Sequence, residues 1–441
     1  MNEDRQLMQL PRVLTDRLAK PFVRFLQVET AVAGVLLLAT LIALVASNSP
    51  WAPAYLELWE IEGGLRIGSL EYARSLKDWI NDAAMTLFFF LVALELKREL
   101  VLGELSSPRR AALSIAAALG GMMMPAMIYW TLQHDQPGAQ GWGTVMATDT
   151  AFVIGCLALL GSRIPHSLRV FMLSLAIIDD IGAILVVAIG YNAHISWAML
   201  ALAAFGLATV RGMSLAGFRS FPLYFLMGGL IWVVIDASGV HATITGVILG
   251  LMTPARRWVS DKRLYAILSQ VIAHPGAQGS GVTQDRKSLL AAEIATRESL
   301  SPVERLELGL HPWVGFVIMP LFALANAGLP LSLVGIGNSI TLAVFSGFVL
   351  GKPLGVLALS WLALRLGIAT RPPELHWGLL TGGGLLAGIG FTMALFIANL
   401  AYPASLIDSA KLGIVGASIF AALAGISLLL VISGPGSRHH R

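Results

Sequence analysis

The sequence predicts an all-α integral membrane protein of twelve transmembrane helices, and three observations carry that expectation. Of its 441 residues, 56% are hydrophobic and only 13% are charged, with a mean hydropathy of +0.75. A soluble domain carries about 25% charged residues, so this chain lacks the charge to cover a water-facing surface. Twelve separate apolar runs approach the roughly 20 residues that a helix needs to cross a bilayer core. Lysine and arginine gather at the ends of those runs, and on alternate ends.

The runs centre on 31–48, 79–96, 111–132, 142–160, 168–190, 197–212, 222–237, 240–254, 312–328, 339–364, 376–400 and 411–433, the pair 222–237 and 240–254 being short. Residues 1–28 are polar and mixed, a cytoplasmic N-terminal segment with Arg5, Arg12, Arg17, Lys20 and Arg24. The apolar run behind them is too long for a signal-peptide core and has no A-x-A site after it, so it reads as a retained span. With the N-terminus inside, 25 of the 30 basic residues fall in cytoplasmic loops and tails. Arg66, Arg74, Lys77 and Lys411 fall outside, and Lys352 falls in neither place. Residues 29–434 thus form the twelve-helix domain, and 435–441 a cytoplasmic tail.

Two loops stand out. In 49–78 the stretch IEGGLRIGSLEYARSLK suggests a hairpin on the outer face. The long cytoplasmic loop 255–311 contains AHPGAQGSGVTQ, a flexible linker, and DRKSLLAAEIATRESL, spaced as a surface helix. The net charge of +4 is spread over helix ends rather than drawn into a stripe, which argues against a nucleic-acid partner. The lone Cys156 sits in an apolar run, as packing cysteines do.

Most spans contain no charge away from their ends, so the exceptions are informative. A charge at mid-bilayer costs about 2.5–3.5 kcal/mol on insertion scales and usually marks a site. Asp179 and Asp180 are the only charges between Arg169 and Arg211, in the middle of the fifth span. Asp149, between Thr148 and Thr150, is alone in the fourth, and Lys352 is alone in the tenth. The bland alternative for Asp149 is a cap on a helix break. Lys352 is too deep to snorkel easily. Adjacent aspartates point about 100° apart on a helix and address two neighbours.

Two carboxylates in low dielectric cannot both ionise cheaply, so such a pair binds and releases protons jointly. It can exchange a proton for a hard cation that seeks oxygen ligands. Asp180, Asp179, Asp149 and Thr148 supply such oxygens, and Lys352 neutralises one carboxylate, Asp179 above all, when no cation is bound. Two spans also carry signs of a break. The fourth is interrupted by ATDT and the eleventh by TGGGLLAGIGFT, and paired interruptions point to a transporter's midplane site. Glycine runs in membrane helices also serve packing.

At these residues the chain resembles the NhaA family of bacterial sodium–proton antiporters. ATDTAF, IIDD and GKPLG carry the likeness together, with WINDAAMTLFFFLVALELKREL, SGVHATITGVILG, LHPWVGFVIMPLFALANAG and GIGFTMALFIANLA in family order. The resemblance implies inverted-topology repeats from spans three to five and ten to twelve, with spans 4 and 11 crossing as broken helices. It implies electrogenic, pH-regulated exchange of Na+ or Li+ for protons in the bacterial inner membrane, without a cofactor, by a homodimer joined through the loop after the first helix. Asp180 resembles the principal cation and proton carboxylate and Asp179 its partner, which exchanges a salt bridge with Lys352. Glu95, Arg98, Glu99 and Glu307 resemble the pH-responding cluster of the cytoplasmic funnel, with His241 toward the opposite face. An ordinary positive-inside helix end with local ion pairs would look the same at Glu95, Arg98 and Glu99. Leu308 stands where the family leads one to expect a histidine, and the loop 255–306 is longer.

Three other functions use related parts. An intramembrane aspartyl protease needs two carboxylates facing each other and sharing a proton, and it leaves Lys352 without a role. A sodium-coupled symporter of an organic anion needs a roomy polar cavity. A channel is blocked by mid-membrane ion pairs more readily than it is made selective by them.

Overall fold

Inside a bilayer, backbone N–H and C=O groups must be satisfied within the protein, and this chain does so with helices. The computed structural model describes residues 29–67, 70–101, 103–191, 195–218, 220–255, 260–272, 282–329 and 337–433. The polar N-terminal segment, the C-terminal tail and most of the glycine-rich linker expected at 273–284 lie outside the described residues.

The first span, α1 (Glu29–Ser47), turns by 116° into α2 (Ala52–Glu60). An antiparallel hairpin follows, β1 (Glu62–Ile67) and β2 (Leu70–Ser75), with Glu62 opposite Ser75 and Ile67 opposite Leu70. Ser75 then caps α3 (Leu76–Val101), its hydroxyl accepting from the Asp78 N–H at 3.1 Å. Next come α4 (Pro108–Gln133), a 3-10 segment (Ala139–Met146), α5 (Thr150–Leu159) and α6 (His166–Gly190). The pair α7 (Trp197–Leu215) and α8 (Phe221–Ala237) precedes the short α9 (Ile244–Met252). The long loop holds α10 (Asp261–Ile272) and α11 (Val282–Glu298), the latter on the stretch read as a surface helix. The chain ends with α12 (Pro302–Asn326), α13 (Ser339–Arg365), α14 (Trp377–Ala387), α15 (Phe391–Ala401) and α16 (Ala404–Ile432).

Each expected span falls on a helix, but length separates them. Among the described residues, eight helices are long and apolar enough to cross a membrane, or ten if each of two bent pairs counts as one. α8 has 17 residues and α9 only 9. α12 starts at Pro302, whereas the apolar run begins ten residues later. Its start is a capping box: Ser301 accepts from the Glu304 N–H at 3.2 Å while the Glu304 carboxylate accepts from the Ser301 N–H at 2.8 Å. Glu304, Arg305 and Glu307 in its first turns hide it from a hydropathy reading.

The tightest packing joins α4 to α13. A Cβ on Gly120 would strike the Gly355 carbonyl, and a Cβ on Gly355 the Gly120 carbonyl. Gly351, one turn earlier, lies against Pro125. Small residues four apart let membrane helices bring their backbones together, and here they seat Lys352 beside the middle of the bundle. One large hydrophobic core runs through most helices, while Ala203, Val210, Ile231 and Ile235 form a separate small one between α7 and α8.

Candidate functional site at the crossing of two broken helices

Both interrupted spans break where the sequence suggests. Ala147 and Asp149 are extended between the 3-10 segment and α5. Gly388–Gly390 separates α14 from α15, with a bend of 45°. The two breaks touch: the Asp149 N–H donates to the Ile389 carbonyl at 2.6 Å. Two helix N-termini and two C-termini therefore meet inside the protein, each with orphan backbone groups and a partial charge.

Asp149 answers both N-termini. Its Oδ1 accepts from the Phe152 N–H of α5 at 3.2 Å, and its Oδ2 accepts from the Thr392 N–H of α15 at 2.9 Å and from the Thr392 hydroxyl. The two C-termini are answered by Lys352 and Thr148. Lys352 Nζ donates to the Met146 carbonyl at the end of the 3-10 segment, 2.5 Å away. Thr148 Oγ1 lies 2.9 Å from the Ala387 carbonyl that ends α14. A negative side chain thus sits at the positive ends, and a positive one at the negative ends.

α6 brings the aspartate pair to the same place. Asp179 Oδ2 accepts from Lys352 Nζ at 2.7 Å and lies 2.8 Å from Thr148 Oγ1, and Lys352 also donates to Thr148 at 2.9 Å. Asp179 and Lys352 are fully buried. Among the described residues Asp180, nearly as sequestered, accepts only from the Thr150 hydroxyl, at 3.1 Å. One oxygen on each aspartate, Asp179 Oδ1 and Asp180 Oδ1, has no hydrogen-bond partner among them. Buried polar atoms are rarely left so. The ammonium is thus committed to Asp179, and Asp180 has no cationic side chain beside it among the described residues. Chemically, the site holds one neutralised carboxylate and one that needs a proton or a metal cation to balance it.

The second charged group gathers at the far end of α3. Arg98 pairs with Glu307 of α12 through Nη1 and with Glu99 through Nη2 at 3.3 Å. Glu307 is buried, and its Oε2 has no partner. Glu95 lies one turn before Glu99 on the same helix. His241 is not with them: its Nε2 lies 2.7 Å from the Tyr191 carbonyl, at the other end of α6. Leu308 points outward and is exposed.

Sequence reasoning missed Thr150 and Thr392. It also missed a chain of amides, in which Asn399 donates to Asn326 and Asn326 to Asn81, each at 2.8 Å. This chain ties α15 to α12 and α3. Arg74 at the hairpin's end, paired with Asp82 and Asp236, is a further, partly buried connection.

A profile of the family described as Na+/H+ antiporter 1 matches residues 23–429. Among curated proteins, a Na(+)/H(+) antiporter NhaA of Rhizobium meliloti is 57% identical over 98% of this chain and 99% of its own length. The Na(+)/H(+) antiporter NhaA 2 of Acidiphilium cryptum is also 57% identical, over 98% and 96%. A protein of the same name from Vibrio vulnificus is 56% identical over 96% and 95%. All three are named antiporters, so the organic-anion symporter reading gains no support. With nearly its whole length matched on both counts, the chain belongs to the Na+/H+ antiporter 1 family.

Proposed function

We propose that this chain is a secondary active antiporter of the bacterial inner membrane, which expels Na+ or Li+ while a larger number of protons enters. The relatives are named for Na+/H+ exchange. The observation that carries the reading to this chain's own residues is Asp180, a buried carboxylate without a cation beside an aspartate whose cation is Lys352. Protonated, Asp180 leaves the site neutral. When it gives up that proton, a sodium ion replaces it and takes oxygens from Asp180, Asp179 and the threonine hydroxyls nearby. Asp149 contributes by fixing the crossing, since its own oxygens are engaged by helix N-termini. Drawing Asp179 toward the cation loosens its pairing with Lys352, and more than one proton moved per sodium makes the exchange electrogenic.

In the same reading the chain crosses twelve times with both termini in the cytoplasm. Spans three to five and ten to twelve are inverted repeats, and the hairpin of β1 and β2 joins two copies. Arg98, Glu99, Glu307 and Glu95 respond to cytoplasmic pH, with His241 acting from the other face.

The test is dequenching of a ΔpH probe in everted vesicles on addition of Na+, Li+ or K+, from mildly acidic to alkaline pH. Collapse of ΔpH by Na+ and Li+ with the native chain, and not with Asp180→Asn, is the expected result. No response to any cation from the native chain would sink the proposal.

A further inference from the structure

The α7–α8 pair is the most loosely held part of the described bundle. Its small core is separate from the large one, and only 11% of the apolar window of α7 is buried within the protein. Between this pair and α3 and α9 lies a cavity of about 390 Å³. Its ends are chemically unlike. At one, Trp79 of α3 stacks on Trp232 of α8, with ring centroids 6.1 Å apart. Phe90 meets Phe225 further along, so α3 and α8 run antiparallel down its length. At the other end are Arg211 of α7, Glu298 of α11 and Arg305 of α12.

We propose that this cavity holds one acyl chain of a glycerophospholipid, with its phosphodiester at the mouth between Arg211 and Arg305. Length supports a single chain. The step from Phe221 near the arginines to Trp232 at the tryptophan end rises about 16 Å at helical pitch, close to half of a hydrocarbon core of about 30 Å. The wall is apolar and aromatic, a poor place for water, which needs two to four polar partners. Charge supports a phosphodiester: among the described residues, two arginines against one glutamate leave one positive charge for its one negative. Arg305 is already aimed, held 4.7 Å over the Phe221 ring and 3.4 Å from Glu298. Arg211 is exposed and has no acidic partner among the described residues, which leaves its guanidinium for bidentate contact with phosphate oxygens. The chain then serves as packing material between the α7–α8 pair and the body. The orientation proposed above places this lipid in the inner leaflet, although the site itself does not depend on that.

Gly229 gives a clean probe, because a Cβ there meets nothing within 4 Å. The full-length protein, washed free of bulk lipid in mild detergent, is compared by native mass spectrometry with Gly229→Leu and with the double variant Arg211→Ala/Arg305→Ala. The native chain is expected to keep one phospholipid per protomer, and both variants to lose it. Phosphatidylglycerol brominated in its acyl chains should quench tryptophan fluorescence in the native chain and much less in Gly229→Leu. Sodium-driven ΔpH collapse retained in Gly229→Leu would show that its fold is intact. A native chain that keeps only detergent, variants that keep the phospholipid, or equal quenching in both proteins would each overturn the assignment. If Gly229→Leu fails to fold, the arginine variant and the quenching of the native chain still decide it.

Discussion

Two clusters of related chemistry, a basic residue paired with acidic ones, differ in burial and obey different rules. At the crossing, Lys352 and Asp179 are wholly buried, and every donor of the ammonium is used. At the end of α3, the Arg98 side chain is 33% exposed and water can share its charge. A buried pair is held by the absence of any alternative, so that losing one partner is severe. A pair whose arginine keeps water while its glutamate is buried is held less tightly and can be rearranged by a proton. The first arrangement suits a binding site that must not leak, and the second suits a regulator that must change within the range of cell pH.

The sharpest way to break this comparison is Lys352→Met. It strands Asp179 beside Asp180 and should lower stability by about 3–5 kcal/mol, seen as a large fall in the thermal unfolding temperature of purified protein. Adding Asp179→Asn should recover much of that loss, and a double-mutant cycle with no coupling would show the pair to be inert.

Packing supplies the next effect. Gly120→Ala pushes a methyl group into the Gly355 carbonyl and should cost about 1–3 kcal/mol, read by the same unfolding assay. Asp180→Asn should do the opposite of Lys352→Met: transport is lost, while stability is kept or slightly raised, because a neutral amide replaces a carboxylate with an unpartnered oxygen. A collapse of the fold would mean that Asp180 is structural.

At the partly exposed cluster the stability change should be smaller than at Lys352. Glu307 is itself buried, so Glu307→Gln, which keeps its shape and one acceptor for Arg98, should shift unfolding by about 1 kcal/mol. Its mark should be a displaced pH profile of ΔpH dequenching with the maximal rate retained. An unchanged profile would leave Arg98–Glu307 as a simple helix tie.

What the sequence made legible follows the same division by depth. Asp149, Asp179, Asp180 and Lys352 stood out because nothing else in their spans is charged, and the structure brings all four to one place. Thr150 and Thr392 did not stand out, since a threonine in an apolar helix is ordinary. The partner that gives Thr392 its meaning lies 243 positions away. The Asn81–Asn326–Asn399 chain was hidden for the same reason. The start of α12 was misplaced because the signal there is a cap and an amphipathic turn rather than hydropathy. Arg98 and Glu307 were paired in advance only through the family resemblance. Their helices approach through tertiary packing that no local pattern states.

The double cap at Asp149 has a consequence for biosynthesis. At about 5–20 residues per second, the ribosome reaches Thr392 some tens of seconds after it has made Asp149. Through that interval α5 is already in or near the bilayer with the second oxygen of its capping aspartate, Asp149 Oδ2, lacking its Thr392 donors. Lys352, the counterion of Asp179, is absent for most of the same time. The first half of the bundle must therefore wait, with its aspartates protonated or still wetted by the insertion machinery, until the last helices arrive. A chain truncated before residue 392 would be a substrate for quality control rather than a partly active transporter.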